Sequence, residues 1–327
     1  MKTLKNILIW VLAICAAISM AACGAPKDDV VIYTSLLDYR REYLQQRLAE
    51  EFPQYKIRIE YLSTGNHAAK LLAEGTDTAC DITTDLEWGY MQKLDANGIL
   101  ADLSAYDHSI YVEDAAGEPN ILPKERNGNA IIINRSMLEE KGIAAPESYE
   151  DLLKPEFEGL ISIPNPKASS SGYVLLKSLV NAWGEEEAFA YFDKLSANVQ
   201  HYPSSGSGAV NAVIQGEAVV GYGIISDAVR EIGNGAPIDI IFFEEGAPHA
   251  LYGQSIIKGK ESRPEVKEVF DFLVNVFDRE DMGKFSPEKI YKDVDFELDN
   301  FPKNIHYSNM SDNTPEEKDR LLNKWKY

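Results

Sequence analysis

The chain has 327 residues, 45% hydrophobic and 26% charged, enough apolar material for two ordinary domains or one large one. Its 52 acidic side chains outnumber 32 basic ones, for a formal net charge of −20. That balance excludes a nucleic-acid binder and a polybasic membrane-surface patch, but not a local anion site made of backbone N–H groups.

The first residues do not read as part of the fold. Lys2 and Lys5 flank a short basic region, Ile7 to Ile18 is almost entirely apolar, and Ala21, Ala22, Cys23 and Gly24 form a small-residue exit. This is a secretory signal pattern, too short for a spanning helix. Met20 to Gly24 also resembles a bacterial lipobox, with Met20 where leucine most often stands. The expectation is a signal peptide over 1–22, lipid on Cys23 and an anchored linker over 23–29. The product would be exported and held on the outer face of the cell membrane, or in the periplasm. Ordinary signal cleavage with a freely secreted product is the alternative. With Cys15 in the leader and Cys23 lipidated, Cys80 is left without a disulfide partner and reads as a small buried hydrophobe.

From residue 30 onward strands and helices alternate. Val30 to Tyr33 reads as a buried strand ended by Thr34 and Ser35, and a helix follows with Tyr43, Leu44, Leu48 and Phe52 on one face. Ile57, Ile59 and Tyr61 alternate with charged residues as a second strand, and Ser63 to Asn66 turns into a helix. Asp81 to Thr84 is a third strand, ending at Asp85 before a helix with Trp88, Met91 and Leu94. This alternation predicts an α/β fold with a largely parallel sheet, in which ligands sit beyond the carboxyl ends of the strands. Thr34, Ser35, Thr64, Gly65, Thr84 and Asp85 occupy those exits.

Residues 102–126 read as irregular, and Ala130 to Asn134 as a strand. The organising stretch runs from Ile161 through Asn165, Pro166 and Lys167 to Ser169, Ser170, Ser171 and Gly172: a short apolar strand, a polar small-residue turn, then a helix. That sequence of elements aims backbone N–H groups and serine hydroxyls at one point, and the helix dipole adds partial positive charge there. Serines also simply cap helices, so one such turn proves little. The device repeats at Ser204 to Gly208, where Ser205, Gly206 and Ser207 open another helix, and Val219 to Ile224 is a buried strand carrying Tyr222. Ile238 to Phe243 and a stretch through Ile256 and Ile257 are further strands, Arg263 to Phe277 an amphipathic helix, and Thr314 to Trp325 the only helical part of the polar tail.

Several polar strand exits converging from two lobes predict a cleft for a small anionic solute. The candidate ligand-binding residues are the six exit residues above with Asn165, Ser170, Ser171, Gly172, Ser205, Gly206, Ser207 and Tyr222. Lys167 and Arg126 either add charge there or are solvated. Tyr222 reads as packing, as a hydrogen-bond donor, or as a phenolate ligand to ferric iron. G-x-S-x-G, H-E-x-x-H and paired C-x-x-C signatures are absent, and Gly253 to Lys260 lacks the G-K-S/T ending of a phosphate loop. No catalysis, cofactor or resident metal is expected.

On these residues (Val31 to Ser35, Ile161 to Gly172, Ser204 to Gly208, Gly216 to Gly221, and Gly235 to Gly246), the mature chain resembles an extracellular solute-binding protein of a bacterial ABC importer. It is similar to the branch that holds ferric-iron, thiamine, phosphonate and sugar-phosphate binders. The resemblance implies a two-lobed type 2 periplasmic-binding fold, each lobe a largely parallel sheet flanked by helices, with the ligand cleft between them. The boundaries expected are 30–129 for lobe 1, 130–242 for lobe 2, 243–284 for the return to lobe 1 and 285–327 for a C-terminal wrap. It further implies a monomer that closes on its solute and docks on the ABC permease. Iron-binding members use an adjacent tyrosine pair at the position of Tyr222; here Gly223 follows, and the serine turns fit phosphorylated or phosphonate ligands better. A secreted enzyme using Asp85 as a base, or a ligand sensor, are the readings from other classes.

Overall fold

The computed structural model describes residues 29–327, so the expected leader, Cys23 and most of the expected linker lie outside the described residues. The first lobe is built on β1 (Val30–Thr34), α1 (Asp38–Glu51), β2 (Ile57–Tyr61), α2 (Thr64–Glu74), β3 (Ile82–Glu87) and α3 (Trp88–Ala96). The chain crosses on β4 (Leu122–Asn134) through α4 (Arg135–Lys141) into a second lobe. There β5 (Ile161–Ser162), α5 (Ser170–Trp183), α6 (Glu185–Leu195) and β6 (Val199–His201) precede α7 (Gly206–Ile214) and β7 (Val220–Ile224). They are followed by α8 (Ile225–Gly233) and β8 (Ile238–Ile241). It returns on β9 (His249–Ile256) and finishes with α9 (Pro264–Phe272), α10 (Asp278–Phe285) and α11 (Pro315–Lys324).

Strand order is β2-β1-β3-β9-β4-β7-β5-β6, with β8 paired to β4. Within each lobe the pairs β1–β2, β1–β3, β5–β6 and β5–β7 are parallel, while both crossing strands β4 and β9 run antiparallel to their neighbours. β4 belongs to both lobes: Leu122 to Gly128 pairs with β9, and Asn129 to Ile133 with β7. Helices cover both faces, which is why the strands read as continuous apolar runs. Val30 and Ile32 enter one core with Leu44, Leu48 and Phe270, while Val31 and Tyr33 enter another with Leu71, Met91 and Leu94. In the second lobe Ile131 and Ile133 pack with Leu176 and Phe192, and Ala130 and Ile132 with Val210 and Val213.

Two expectations are corrected. The stretch read as irregular up to Arg126 is already strand from Leu122, because β9 supplies a partner that local pattern does not reveal. The helix from Arg263 does not end at Phe277: a π-helical turn over Leu273–Phe277 carries it into α10.

The C-terminal segment is stitched to the crossing strands. Glu288 accepts the Gly128 N–H at 2.7 Å, where β4 passes from one lobe to the other, and Tyr307 Oη donates to Glu288 Oε2. The Tyr307 ring lies 4.8 Å from that of His249 on β9, and the Arg126 guanidinium stands over the Tyr307 ring at 5.7 Å. Burial pushes the Glu288 carboxyl up to about 7. An unfolded glutamate ionises near 4.5, so between that pH and about 7 the folded chain binds the extra proton and stability falls as pH rises, levelling off above. Glu288→Gln keeps an acceptor for Gly128 and a donor toward Tyr307. It is expected to remove about 2 kcal/mol of that fall, leaving the parts due to the other carboxyls raised by burial, Asp278 to about 7, Asp227 to about 6 and Asp85 well above the usual range. Urea unfolding at pH 5 and pH 8 reads this directly; equal losses in both proteins would show Glu288 to be hydrated.

Candidate functional site

Between the lobes lies a cavity of 40 Å³ lined by Ser35, Arg40, Tyr61, Ser63, Thr64, Asp85, Glu125, Asn127, Ser169, Ser171, Ser204 to Ser207 and Tyr252, with Leu37 and Ile224. Three helix starts meet on it: α2 at Thr64, α5 at Ser169 and Ser171, and α7 at Ser205 to Ser207. Each start leaves backbone N–H groups without intrahelical acceptors and adds the positive end of a dipole. The starts of α5 and α7 approach so closely that a Cβ on Gly206 would stand 2.5 Å from Ser171 Oγ. Ser205 Oγ caps α7 by accepting from Gly208 N–H at 3.2 Å and lies 3.1 Å from Ser207 Oγ. Ser35 is held by His67, whose ring nitrogens contact Ser35 Oγ at 3.0 Å and Thr83 Oγ1 at 2.9 Å. Full burial pushes that imidazole down to about 3, so it is neutral at physiological pH.

The lobes touch around this cavity. Gly65 N–H donates to the Ala168 carbonyl at 3.3 Å, and Tyr252 Oη donates to Ser170 Oγ. On the first-lobe side the floor is ionic and dry. Arg40 is 1% exposed; its guanidinium donates to Asp281 at 3.0 Å through Nε and to both Asp281 and Glu125 through its terminal nitrogen. Lys124 Nζ donates to Asp281 at 2.9 Å, and Asn127 Nδ2 to Glu125 at 2.9 Å. Burial opposes the charge on Glu125, but Arg40 and Lys124 outweigh it and hold its pKa well below the carboxylate range. Asp85 goes the other way: burial first, then the neighbouring Glu125, push it well above. Asp85 sits at a register shift between β3 and β9 with φ 58°, a left-handed conformation that aspartate tolerates better than most side chains.

Of the residues expected from sequence, Ser35, Thr64, Asp85, Ser171, Ser205, Gly206 and Ser207 line the cavity. The others stand behind it. Thr34 Oγ1 accepts from Leu36 N–H, Thr84 Oγ1 donates to Gln254, and Ser170 meets Tyr252. Asn165 turns its own loop and donates to the Tyr327 carbonyl, while Gly65 and Gly172 let backbones approach. Tyr222 is in the second-lobe core, fully buried. Among the described residues, no group of three or more His, Cys, Asp or Glu side chains is placed to hold a metal ion. Lys167 is exposed and Arg126 pairs with Asp114 at 2.7 Å; neither lines the cavity. Sequence reasoning missed Arg40, Glu125, Asn127 and Tyr252. A charged Lys124-Glu125-Arg126 run just after the apolar Ile121-Leu122-Pro123 was the available signal for the first-lobe floor.

Two α/β lobes joined by antiparallel crossing strands, with helix starts aimed into the gap, define a binding protein of the type 2 periplasmic-binding fold. Residues 89–277 match the sequence family described as bacterial extracellular solute-binding protein, and the chain belongs to that family. It is 24% identical over 286 residues to a putative 2-aminoethylphosphonate-binding periplasmic protein of Salmonella typhi, covering 84% of this chain and 81% of that one. Its fold is similar to the periplasmic binding protein P5PA (TM-score 0.80, 23% identity, 90% of this chain and 98% of that one). It is similar too to AfuA from Actinobacillus pleuropneumoniae with exogenous fructose-6-phosphate bound (TM-score 0.78, 22% identity, 90% and 97%). Members of the family bind small solutes and deliver them to ABC permeases. Among the described residues, no helix is long and apolar enough to cross a membrane.

Proposed function

We propose that this chain is the solute-capturing lipoprotein of an ABC importer, anchored through Cys23, acting as a monomer, and taking a small phosphonate or phosphate ester into the interlobe cleft. The observation that carries the reading is the meeting of three serine-bearing helix starts, from both lobes, on one small enclosed cavity. Backbone N–H groups and hydroxyls fixed in this way suit the oxygens of a phosphorus anion, and need no catalytic step. Because the cradle is split between lobes, it is complete only when they close, so solute binding energy goes into closure and the closed form is what the permease receives. The 2-aminoethylphosphonate and fructose-6-phosphate named for the two relatives support a phosphorus anion here. Tyr222 sits in the second-lobe core and does not line the cavity, which supports a phosphorus anion over ferric iron.

The test is native mass spectrometry of the protein as purified, followed by calorimetry with alkyl phosphonates, phosphate monoesters and ferric citrate. A retained or titrated phosphorus compound is expected; retained iron, or no phosphorus ligand at all, overturns the reading. Removing one cradle hydroxyl with Ser171→Ala is expected to weaken the bound phosphonate about tenfold. Unchanged affinity would place the anion elsewhere.

A further inference from the structure

Helix starts and serines supply partial charges, whereas a phosphorus anion brings whole ones. The wall opposite the serines holds a whole positive charge. Among the described residues, the one basic side chain that lines the cavity is Arg40, in the first turn of α1. Leu37, which precedes that helix, lines the cavity too, so the start of α1 reaches it as well. Arg40 is 1% exposed and is fixed from behind. Asp281 accepts from Nε and Nη2 side by side, and Glu125 accepts from Nη2. Nη1 has no acceptor among the described residues, which leaves two N–H donors of a charged guanidinium unused. Nor is Nη1 sealed inside the protein as an orphan: the open space that Arg40 meets is the cavity. A planar fork held by a carboxylate along one edge and open along the other suits a second oxyanion on the open edge. Arg41, next in sequence, pairs with Asp38 at 2.8 Å and does not line the cavity.

We infer that Arg40 is the charge anchor of the site: the N–H groups of its Nη1 donate to oxygens of the solute's phosphoryl group, and select a doubly charged phosphoryl group over a singly charged sulfuryl group of the same shape. This rests on the function proposed above and deepens it, by naming the residue that reads the charge. The serines and helix starts fit the tetrahedral oxygens of either anion; the guanidinium adds the Coulomb attraction that grows with the second charge. The carboxyls behind Arg40 do not cancel it. Glu125 and Asp281 face two cations, Arg40 and Lys124, with Lys124 Nζ 2.9 Å from Asp281. Burial, then Glu125, push Asp85 well above the carboxylate range, and burial pushes Asp278 up to about 7. Below about pH 7 the floor therefore carries as many positive as negative charges, and its only unused donors belong to the cation that meets the cavity. Asp281, outside the cavity, holds the guanidinium in that aim.

The experiment is calorimetry at pH 7 with methyl phosphate, largely doubly ionised there, and methyl sulfate, singly charged and of the same shape. The unmodified protein is expected to bind methyl phosphate at least about tenfold more tightly than methyl sulfate. Arg40→Lys is expected to weaken methyl phosphate about 30-fold and methyl sulfate about fivefold or less. Lysine keeps a charge for Asp281 but lacks the second edge of donors, so the buried ion pair survives while the anchor is lost. Equal losses for the two anions are what a purely structural role of Arg40 gives. A second measurement uses the unmodified protein and does not depend on how the variant folds. With 15N-labelled arginine, the Nη1 protons of Arg40 are expected to move downfield and exchange slowly when methyl phosphate, or the phosphonate bound tightest in the titrations above, is added. Unmoved Arg40 resonances in the bound protein, or equal losses in Arg40→Lys, overturn the inference and leave the proposed function standing. Binding of no phosphate monoester and no phosphonate overturns both.

Discussion

Replacing Gly65 with valine is expected to weaken solute binding about 100-fold while leaving the empty protein as stable as before. Gly65 lies in the first turn of α2 with an ordinary negative φ, so a side chain costs nothing in backbone strain and relieves the entropy penalty of glycine in a helix. The obstacle lies across the cleft. A Cβ at this position would stand 2.6 Å from the carbonyl oxygen of Lys167 and 3.4 Å from Ala168, backbone atoms of the other lobe. On the closing mechanism proposed above, the solute-free lobes part and that neighbour withdraws. The overlap therefore burdens the closed form alone, and overpacking of this kind costs about 1–3 kcal/mol, occasionally more for a branched side chain. Thermal melts without ligand should be unchanged or slightly raised, and small-angle scattering with saturating phosphonate should show incomplete compaction. A variant that binds as tightly as the parent would mean that closure does not bring Gly65 against Lys167.

The second large effect concerns α11, which ties the chain's end to both lobes. Lys318 is buried; its ammonium donates to Glu87 at the end of β3 and lies over Tyr90 of α3 at 3.7 Å and Tyr173 of α5 at 4.3 Å. Three residues on, Leu321 enters the second-lobe core with Trp325, 2% exposed. Burial lowers the Lys318 pKa in spite of Glu87, so the ion pair is held in a dry setting where neither charge has an alternative partner in water. Lys318→Ala is expected to cost about 3–5 kcal/mol, since Glu87, also fully buried, keeps its desolvation penalty and loses its counter-ion. Lys318→Met combined with Glu87→Leu is expected to recover most of that stability, because an apolar pair of similar volume fills the same space without charge. Denaturant unfolding of the two variants decides it. A loss below about 1 kcal/mol in Lys318→Ala would mean that water reaches Glu87 and that α11 is a weak attachment.

Much of the architecture could be read from local pattern, because a strand covered on both faces leaves an uninterrupted apolar run. Val30 to Tyr33 and Val220 to Ile224 are such runs, and the serine-rich starts of α5 and α7 follow from the preference of small polar residues for helix N-termini. Of those exits, Ser171 and Ser205 to Ser207 are brought by the fold to a single cavity. Thr34, Thr84, Ser170 and Tyr222 carry the same chemistry at the same kind of position, yet serve hydrogen bonds or packing behind the wall. Alternation along a strand turns one residue toward the cleft and the next away, and a register shift such as that between Thr83 and Leu86 decides which is which.

The amino-acid sequence by itself determined the class of chain, the alternation of its elements and the serine-bearing helix starts, since each depends on residues close together along the chain. Tertiary structure alone decided the opposite wall. Arg40, Asp85, Glu125 and Asp281 lie as much as 241 positions apart, and of the four only Asp85 stands out in the sequence, as a strand exit. Only a fold that buries all four together sets the carboxyls of Asp85 and Glu125 side by side and raises the Asp85 pKa, because desolvation and Coulomb forces act through space, whatever the separation in sequence.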